Sequence, residues 1–403
     1  MIDIAYKEYK KSDDIHGTVL YPAVMVAPVQ KDILTNVLDK NKPAKIFDPF
    51  HGSGTALYEA AEFSDSVHLY GCDINPLANL ITKVKLQGVT TNIENDIVKL
   101  QMLISYNNIE TPHDFPNIRK WFRDDIITDL SIIRTAITSI ENEENRLFFW
   151  YILSDTVRKY SNTRSSTYKL HTKSEPSITK FKNNLFEDYM KRIKLNYPRF
   201  MKKHTHVTLI KGDTLNYLKR IDNSEYDVCI TSPPYGDNAT TVPYGQFSML
   251  ALYWIDAKDL ELEGWEFENY SAIDSRSLGG PFQSTKGKNK IPAEVAPYLE
   301  KISKSKHLKI QRFFVGYFEF LEQISRVTKF YIIMTLGNRT VDNVKIDLTD
   351  ITVQYMEKKE FKKKEIYKRE IISKRTPKKV STVRNQPVSS MNEEFVIVME
   401  KNK

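Results

Sequence analysis

The sequence predicts a doubly wound α/β fold: a mostly parallel, Rossmann-like sheet of six or seven strands carrying two inserts. Three observations predict it. Short apolar runs alternate with helix-spaced segments before residue 90, and the alternation resumes after residue 205. The first run passes through a glycine-rich turn into a helix. The second ends on an acid, Asp73, 19 residues after Gly54.

Taken in order, Val29, Ile33, Val37 and Leu38 fall at helical spacing within residues 28–40, and that helix stops before Lys42-Pro43. The strand Lys45-Ile46-Phe47 opens directly into Asp48-Pro49-Phe50-His51-Gly52-Ser53-Gly54-Thr55, and the helix ALYEAAEF follows. Next come the strand Val67–Gly71, the tip Cys72-Asp73-Ile74-Asn75-Pro76 and the helix LANLITKVKL, which complete a βαβ unit. Residues 90–205 break the alternation and read as mostly helical, with a polar interruption at SNTRSSTYKLHTKSEPS. Strands are then expected at His206–Ile210, Tyr226–Ile230, Phe330–Leu336, Glu365–Ile372 and Phe395–Met399, with an amphipathic helix near residues 347–361. This divides the chain into a cofactor part at 1–89, a helical insert at 90–205, a catalytic region at 206–255, a second insert at 256–325 and closing strands at 326–403. The two inserts stand outside the alternating core.

With 41% hydrophobic and 27% charged residues, the 403-residue chain is neither disordered, collagenous nor a disulfide scaffold. Two cysteines, Cys72 and Cys229, build no staple framework or zinc cage, and no Cys/His cluster suggests a metal. The chain starts without a signal-like apolar stretch and has no run of membrane-spanning length, so a cytoplasmic protein is expected. The net charge of +8 hides three basic blocks, at residues 155–203, 286–312 and 357–384, set in an otherwise acidic chain. Such blocks suit a polyanion if the fold brings them together, and are otherwise solvated faces.

Two constellations carry chemistry. In the first, glycines at a strand-to-helix turn admit a ligand to the backbone, free helix N–H groups face it, and Asp73 suits ribose hydroxyls. The turn lacks the lysine of a phosphate-cradling loop and the full GxGxxG of dinucleotide binders, so an adenosine-type ligand without a polyphosphate fits it. In the second, Thr231-Ser232-Pro233-Pro234-Tyr235 closes a strand. Its prolines remove two N–H donors and leave carbonyls as acceptors, Ser232 adds a hydroxyl acceptor, and Tyr235 adds a flat ring. Acceptors beside an aromatic platform suit an exocyclic amino group on a planar base. Either constellation alone also reads as a packing turn.

Together they resemble the S-adenosylmethionine-dependent DNA methyltransferases that modify exocyclic amino nitrogens, cytosine N4 or adenine N6. Asp48 to Thr55 resembles their cofactor loop, Asp73-Ile74-Asn75-Pro76 their ribose-binding acid, Gly212-Asp213 their adenine-contacting acid, and the Ser232 tetrapeptide their catalytic motif. His16-Gly17 and Tyr21-Pro22-Ala23 resemble the segment that closes over the methionine end of the cofactor. The resemblance covers residues 15–85 and 205–250 closely and the final strands loosely.

It implies a methyltransferase sheet with an antiparallel final strand and S-adenosylmethionine as cofactor. The implied cofactor contacts are Tyr21, Pro22, Asp48, Pro49, Phe50, Gly52, Ser53, Gly54, Thr55, Asp73, Ile74 and Asp213. The implied catalytic residues are Ser232, Pro233, Pro234 and Tyr235, with direct transfer to a flipped base and no metal. Serine at the head of the tetrapeptide is typical of the cytosine-N4 members. The adenine-N6 reaction, an RNA base methyltransferase and a DNA-binding protein that has kept only the fold are the rivals. The implied partners are double-stranded DNA and, as in restriction-modification systems, a restriction endonuclease acting separately. Arg164, Lys169, His171 and Lys173, interleaved with hydroxyl residues and Tyr168, suit phosphate contacts. Residues 237–246 are expected to line the base pocket.

Overall fold

The computed structural model describes residues 6, 8–106, 109–236, 241–262, 270–281, 293–370, 379–383, 386–389 and 393–402. The sheet is built from β1 (Ala44–Asp48), β2 (Val67–Asp73), β3 (Val207–Lys211), β4 (Tyr226–Thr231), β5 (Thr328–Leu336), β6 (Phe361–Glu370) and β7 (Glu393–Lys401). Across the sheet they run β3-β2-β1-β4-β5-β7-β6. The pairs β3–β2, β2–β1, β1–β4 and β4–β5 are parallel, whereas β7 is antiparallel to both β5 and β6. The expected strand at 365–372 starts four residues earlier, at Phe361, and its last two positions lie outside the described residues.

Alternation along the strands divides the core. Ile46, Val228, Ile230, Ile333, Val396 and Val398 face helices α1 (Ala27–Val37) and α2 (Thr55–Phe63). Their neighbours Phe47, Cys229, Ile332, Met334, Ile397 and Met399 point to the opposite face. That parity is why the sequence shows continuous apolar runs here: both faces of a central strand are covered. α3 (Pro76–Gln87) starts with Pro76 in its first turn and Asn75 as cap, its side chain accepting from the Leu77 amide at 3.1 Å.

The long insert contributes α4 (Ile93–Tyr106), α5 (Asp124–Thr138), α6 (Glu143–Tyr160) and α7 (Leu185–Asn196). They form a third apolar cluster with α3 and with α8 (Tyr244–Trp254), the helix after β4. α6 is its axis: Leu147 through Leu153 are all buried, so its middle two turns are apolar all round while its polar residues lie toward the two ends. The polar interruption turns back on itself through a bridge between Thr163 and Thr172. α9 (Lys304–Val327) and α10 (Leu348–Glu357) cover the second sheet face. Among the described residues no helix is long and apolar enough to cross a membrane.

The chain runs outward from β1 to β3 and returns to β4 beside β1. The order therefore reverses between β1 and β4, and both strands end there on loops that carry the expected site residues. Crevices at such reversal points are where open α/β sheets bind ligands.

Candidate active site

A partly enclosed pocket lies above the carboxyl ends of β1, β2 and β4. The loop after β1 forms its floor. Gly54 adopts φ +71, and a Cβ there would stand 2.6 Å from two atoms of Thr82, so the turn requires glycine at this position. The loop is fastened to α3 from below. His51 Nε2 lies 3.1 Å from Asn79 Oδ1, and Thr82 Oγ1 donates to the Gly52 carbonyl at 3.1 Å. The Lys85 ammonium donates to the Ser53 carbonyl at 2.7 Å and reaches His16 Nδ1 at 3.3 Å; His16 Nε2 meets Glu59 Oε1 at 2.9 Å. Burial pulls Lys85 down to about 7.

Two carboxylates organise the site, Asp73 in the pocket lining and Asp48 beneath the glycine loop. Asp73 accepts from the Gly52 amide at 2.9 Å and the Asn75 amide at 2.8 Å, which aims its carboxylate along the pocket wall. Asp48 is fully buried. Its Oδ1 accepts from Thr231 Oγ1 at 2.7 Å and from the Phe50 amide at 3.1 Å, tying the ends of β1 and β4 together across the reversal point. Its Oδ2 is buried without a hydrogen-bond partner. Burial pushes this carboxyl up to about 7, opposed by Thr231 and the Phe50 amide and reinforced by nearby Asp73.

Of the expected cofactor residues, Tyr21, Pro22, Phe50, Gly52, Ser53, Thr55, Asp73, Ile74 and Asp213 line this pocket. Asp48, Pro49 and Gly54 lie outside its lining and shape the loop from beneath; the Pro49 carbonyl accepts from Thr214 Oγ1. Asp213 caps the short helix Thr214–Leu218 by accepting from the Asn216 amide at 2.8 Å, and burial raises its pKa. In the tetrapeptide, Ser232 and Pro234 line the same pocket, while Pro233 and Tyr235 do not. The Ser232 hydroxyl lies 3.0 Å from the Tyr235 hydroxyl, and burial holds that phenol well above its ordinary range. The pocket thus holds the glycine-loop floor, the anchored Asp73 and the first acceptor of the tetrapeptide together.

S-adenosylmethionine, the group the resemblance implies, fits these residues. Asp73 is a fixed acceptor for vicinal hydroxyls, Phe50 and Ile74 supply apolar walls, and a Cβ at Gly212, next to Asp213, would meet nothing within 4 Å. Both cysteines are buried, and burial pushes both thiols up, leaving neither as a ready nucleophile.

The expected phosphate contacts sit on the turn closed by the Thr163–Thr172 bridge. Arg164, Lys169 and His171 are exposed. Lys173 is half-buried, its ammonium donating to the Ser161 carbonyl at 2.8 Å and lying 5.0 Å from the Phe181 ring centre, and burial lowers its pKa. Lys173 thus ties the base of the turn. The turn rests on α8: the Leu170 amide donates to Gln246 Oε1 at 3.4 Å, and Tyr168 meets Phe247 edge-on at 5.8 Å. The part of the third basic block at residues 361–370 lies elsewhere, on the edge strand β6, where Lys362, Lys368 and Arg369 pair with Glu400, Glu393 and Glu394 of β7; residues 371–378 and 384 of that block lie outside the described residues.

Several residues in and around the pocket stand outside the expected cofactor and catalytic contacts. Asn75 Nδ2 donates to Tyr21 Oη at 3.1 Å and to Ser248 Oγ at 2.8 Å, joining the N-terminal segment to α8. Tyr244 lines the pocket 5.9 Å from the Tyr21 ring, within the stretch expected to form a pocket wall; residues 237–240 of that stretch lie outside the described residues. Ile273, Ser277 and Leu278 arrive from the second insert with no sequence signal. Lys85 did carry one, a charge within the apolar spacing of α3.

No protein-family model matches the chain. Two structures of the rRNA methyltransferase aviRa from Streptomyces viridochromogenes align at TM-scores of 0.34 and 0.33, with 10% and 11% identity over 98% of this chain and 96% of theirs. At that level they carry no argument about substrate. The type II methyltransferase M.MvaI of Kocuria varians is 30% identical over 428 aligned residues, covering 96% of this chain and 91% of that protein. At that identity, over nearly the whole length of both proteins, the chain belongs to the type II methyltransferase family.

Proposed function

We propose that the chain is a site-specific DNA methyltransferase that moves the methyl group of S-adenosylmethionine to the exocyclic N4 of cytosine in duplex DNA, as the modification half of a restriction-modification pair. The observation that carries the reading is that Ser232 and Pro234 open into the same pocket as Asp73, Gly52 and Phe50. Bound there, the cofactor supplies an electrophilic sulfonium methyl. Asp73 would hold the ribose hydroxyls, Asp213 the adenine edge, and Tyr21 with Pro22 would cover the methionine end.

The chain's own work is on the base. An exocyclic amino nitrogen is a poor nucleophile because its lone pair is delocalised into the ring. Accepting its two N–H bonds at the Ser232 hydroxyl and the Pro233 carbonyl directs that lone pair out of the ring plane and toward the methyl. Tyr235 would stack on the base. The recessed position of Ser232 requires the base to leave the helix stack. Arg164, Lys169 and His171, exposed on the turn that rests on α8, would contact phosphates.

The test is to methylate duplex DNA with the purified protein, digest it to nucleosides and weigh the products. N4-methylcytosine is expected, and Ser232→Ala should lower its yield about 10²-fold or more. N6-methyladenine would reassign the base. Unmodified DNA beside methylated RNA would reassign the substrate, and full activity of Ser232→Ala would overturn the mechanism.

A further inference from the structure

We propose that Asp274, in the second insert, is the positioning residue that sets α8 between the catalytic pocket and the exposed basic turn; that this turn meets DNA rests on the reading above. Asp274 is 5% exposed. Its Oδ1 accepts from the Gly245 amide at 2.9 Å and its Oδ2 from the Gln246 amide at 3.2 Å. Those are among the first amides of α8, which have no partner within the helix, and the residue before the helix is Pro243, which offers no side-chain cap. The carboxylate therefore does from another segment what a capping residue ordinarily does within the helix. Burial pushes its carboxyl up to about 6 against the pull of those amides, so the second insert bears a desolvation cost to place an acid here.

What the clamp holds is a helix with two working faces. Tyr244, its first residue, lines the pocket, and Ser248, one turn on, accepts from Asn75. Gln246 and Phe247, between them, hold the basic turn through the Leu170 amide and Tyr168, and the Arg158 guanidinium lies 4.6 Å from the Phe247 ring centre. The chain next to Asp274 also reaches the pocket through Ile273 and Ser277. Gly245 leaves room for the arrangement: a Cβ there would stand 3.0 Å from both Asp274 Oδ2 and the Tyr270 carbonyl oxygen. One carboxylate thus governs how the pocket wall and the basic turn sit relative to each other, while the glycine loop is held from α3 by Asn79, Thr82 and Lys85.

The experiment compares the full-length protein with Asp274→Ala, Asp274→Asn and Gly245→Ala. Hydrogen exchange is read by mass spectrometry, S-adenosylhomocysteine affinity by titration calorimetry, and methyl transfer by steady-state kinetics. In Asp274→Ala, amides at 244–247 and 167–172 should lose about tenfold in protection, the size expected when buried hydrogen bonds are broken, while residues 48–57 keep theirs. Cofactor-product affinity should stay within about threefold, whereas KM for DNA should rise and kcat fall, each by about tenfold. Asn can accept one of the two amides, so Asp274→Asn should recover part of both effects. Gly245→Ala, which disturbs the same contact from the helix side, should reproduce the pattern. Unchanged protection at 244–247 in Asp274→Ala overturns the proposal, and so does loss of protection and product affinity throughout the protein in all three variants. If the exchange pattern appears as expected but the wild type leaves DNA unmethylated, the clamp stands and the substrate reading falls.

Discussion

Replacing Asp48 with Asn should remove a measurable share of the protein's pH dependence. The wild-type carboxyl is fully buried, and its pKa rises from the ordinary 3.8 to about 7. A carboxyl raised on folding contributes stability that is complete below its unfolded pKa and is lost as pH climbs through the folded one. The full difference, reached well above pH 7, is about 4 kcal/mol, and between pH 5.5 and pH 8 the linkage relation gives a loss of about 2 kcal/mol. Asn keeps an oxygen for Thr231 and the Phe50 amide but does not titrate. Its stability offset, whatever its sign, is therefore the same at both pH values. Urea unfolding of both proteins at pH 5.5 and pH 8, without ligand, gives a double difference in which other raised carboxyls such as Glu59 and Asp274 cancel. The wild type should lose about 2 kcal/mol more than the variant over that interval. An equal loss in both would refute the assignment of a charged, unpartnered oxygen beneath the glycine loop.

Two further outcomes follow from the site. Gly54→Ala should destabilise the protein by about 2–4 kcal/mol, from the left-handed backbone and the collision with Thr82 together, and adding Thr82→Ala should recover the collision part alone in thermal unfolding. Arg164→Ala with Lys169→Ala should reduce the slope of log affinity for duplex DNA against log salt by about 2, whereas Lys362→Ala with Lys368→Ala should leave it unchanged, because those ammoniums already face Glu400 and Glu393.

The central strands were legible because both their faces are covered: Val228–Ile230 and Phe395–Met399 read as unbroken apolar runs and stand in the sheet as such. The glycine turn and Asp73 were legible because close backbone approach and a fixed acid impose residue types at set spacing. The edge strand Phe361–Glu370 was placed late, because a half-solvated strand rich in Lys carries little apolar signal. Asp274 was invisible for a different reason. It acts on amides 28 and 29 residues earlier in the chain, and a carboxylate that caps a helix from another segment has no local pattern. The three basic blocks were legible as charge but not as surface: the third meets glutamates on the adjacent strand, a pairing fixed by register rather than composition.

The insert between β2 and β3 leaves the domain and returns to it at nearly one point. The Val89 amide donates to the Phe200 carbonyl at 2.8 Å, and the His204 amide to the Leu86 carbonyl at 2.8 Å. Gly88, at φ +70, admits that contact; a Cβ there would stand 2.5 Å from the Phe200 oxygen. The consequence concerns how the chain reaches this fold. Parallel pairing of Asp73 with Lys211 would otherwise require closing a flexible loop of well over a hundred residues, a slow and entropically costly step. Helices α4 to α7 pack into one apolar cluster, and with that cluster formed the two ends of the insert lie side by side. The insert then stands to β2 and β3 as a tight turn does to the strands it joins.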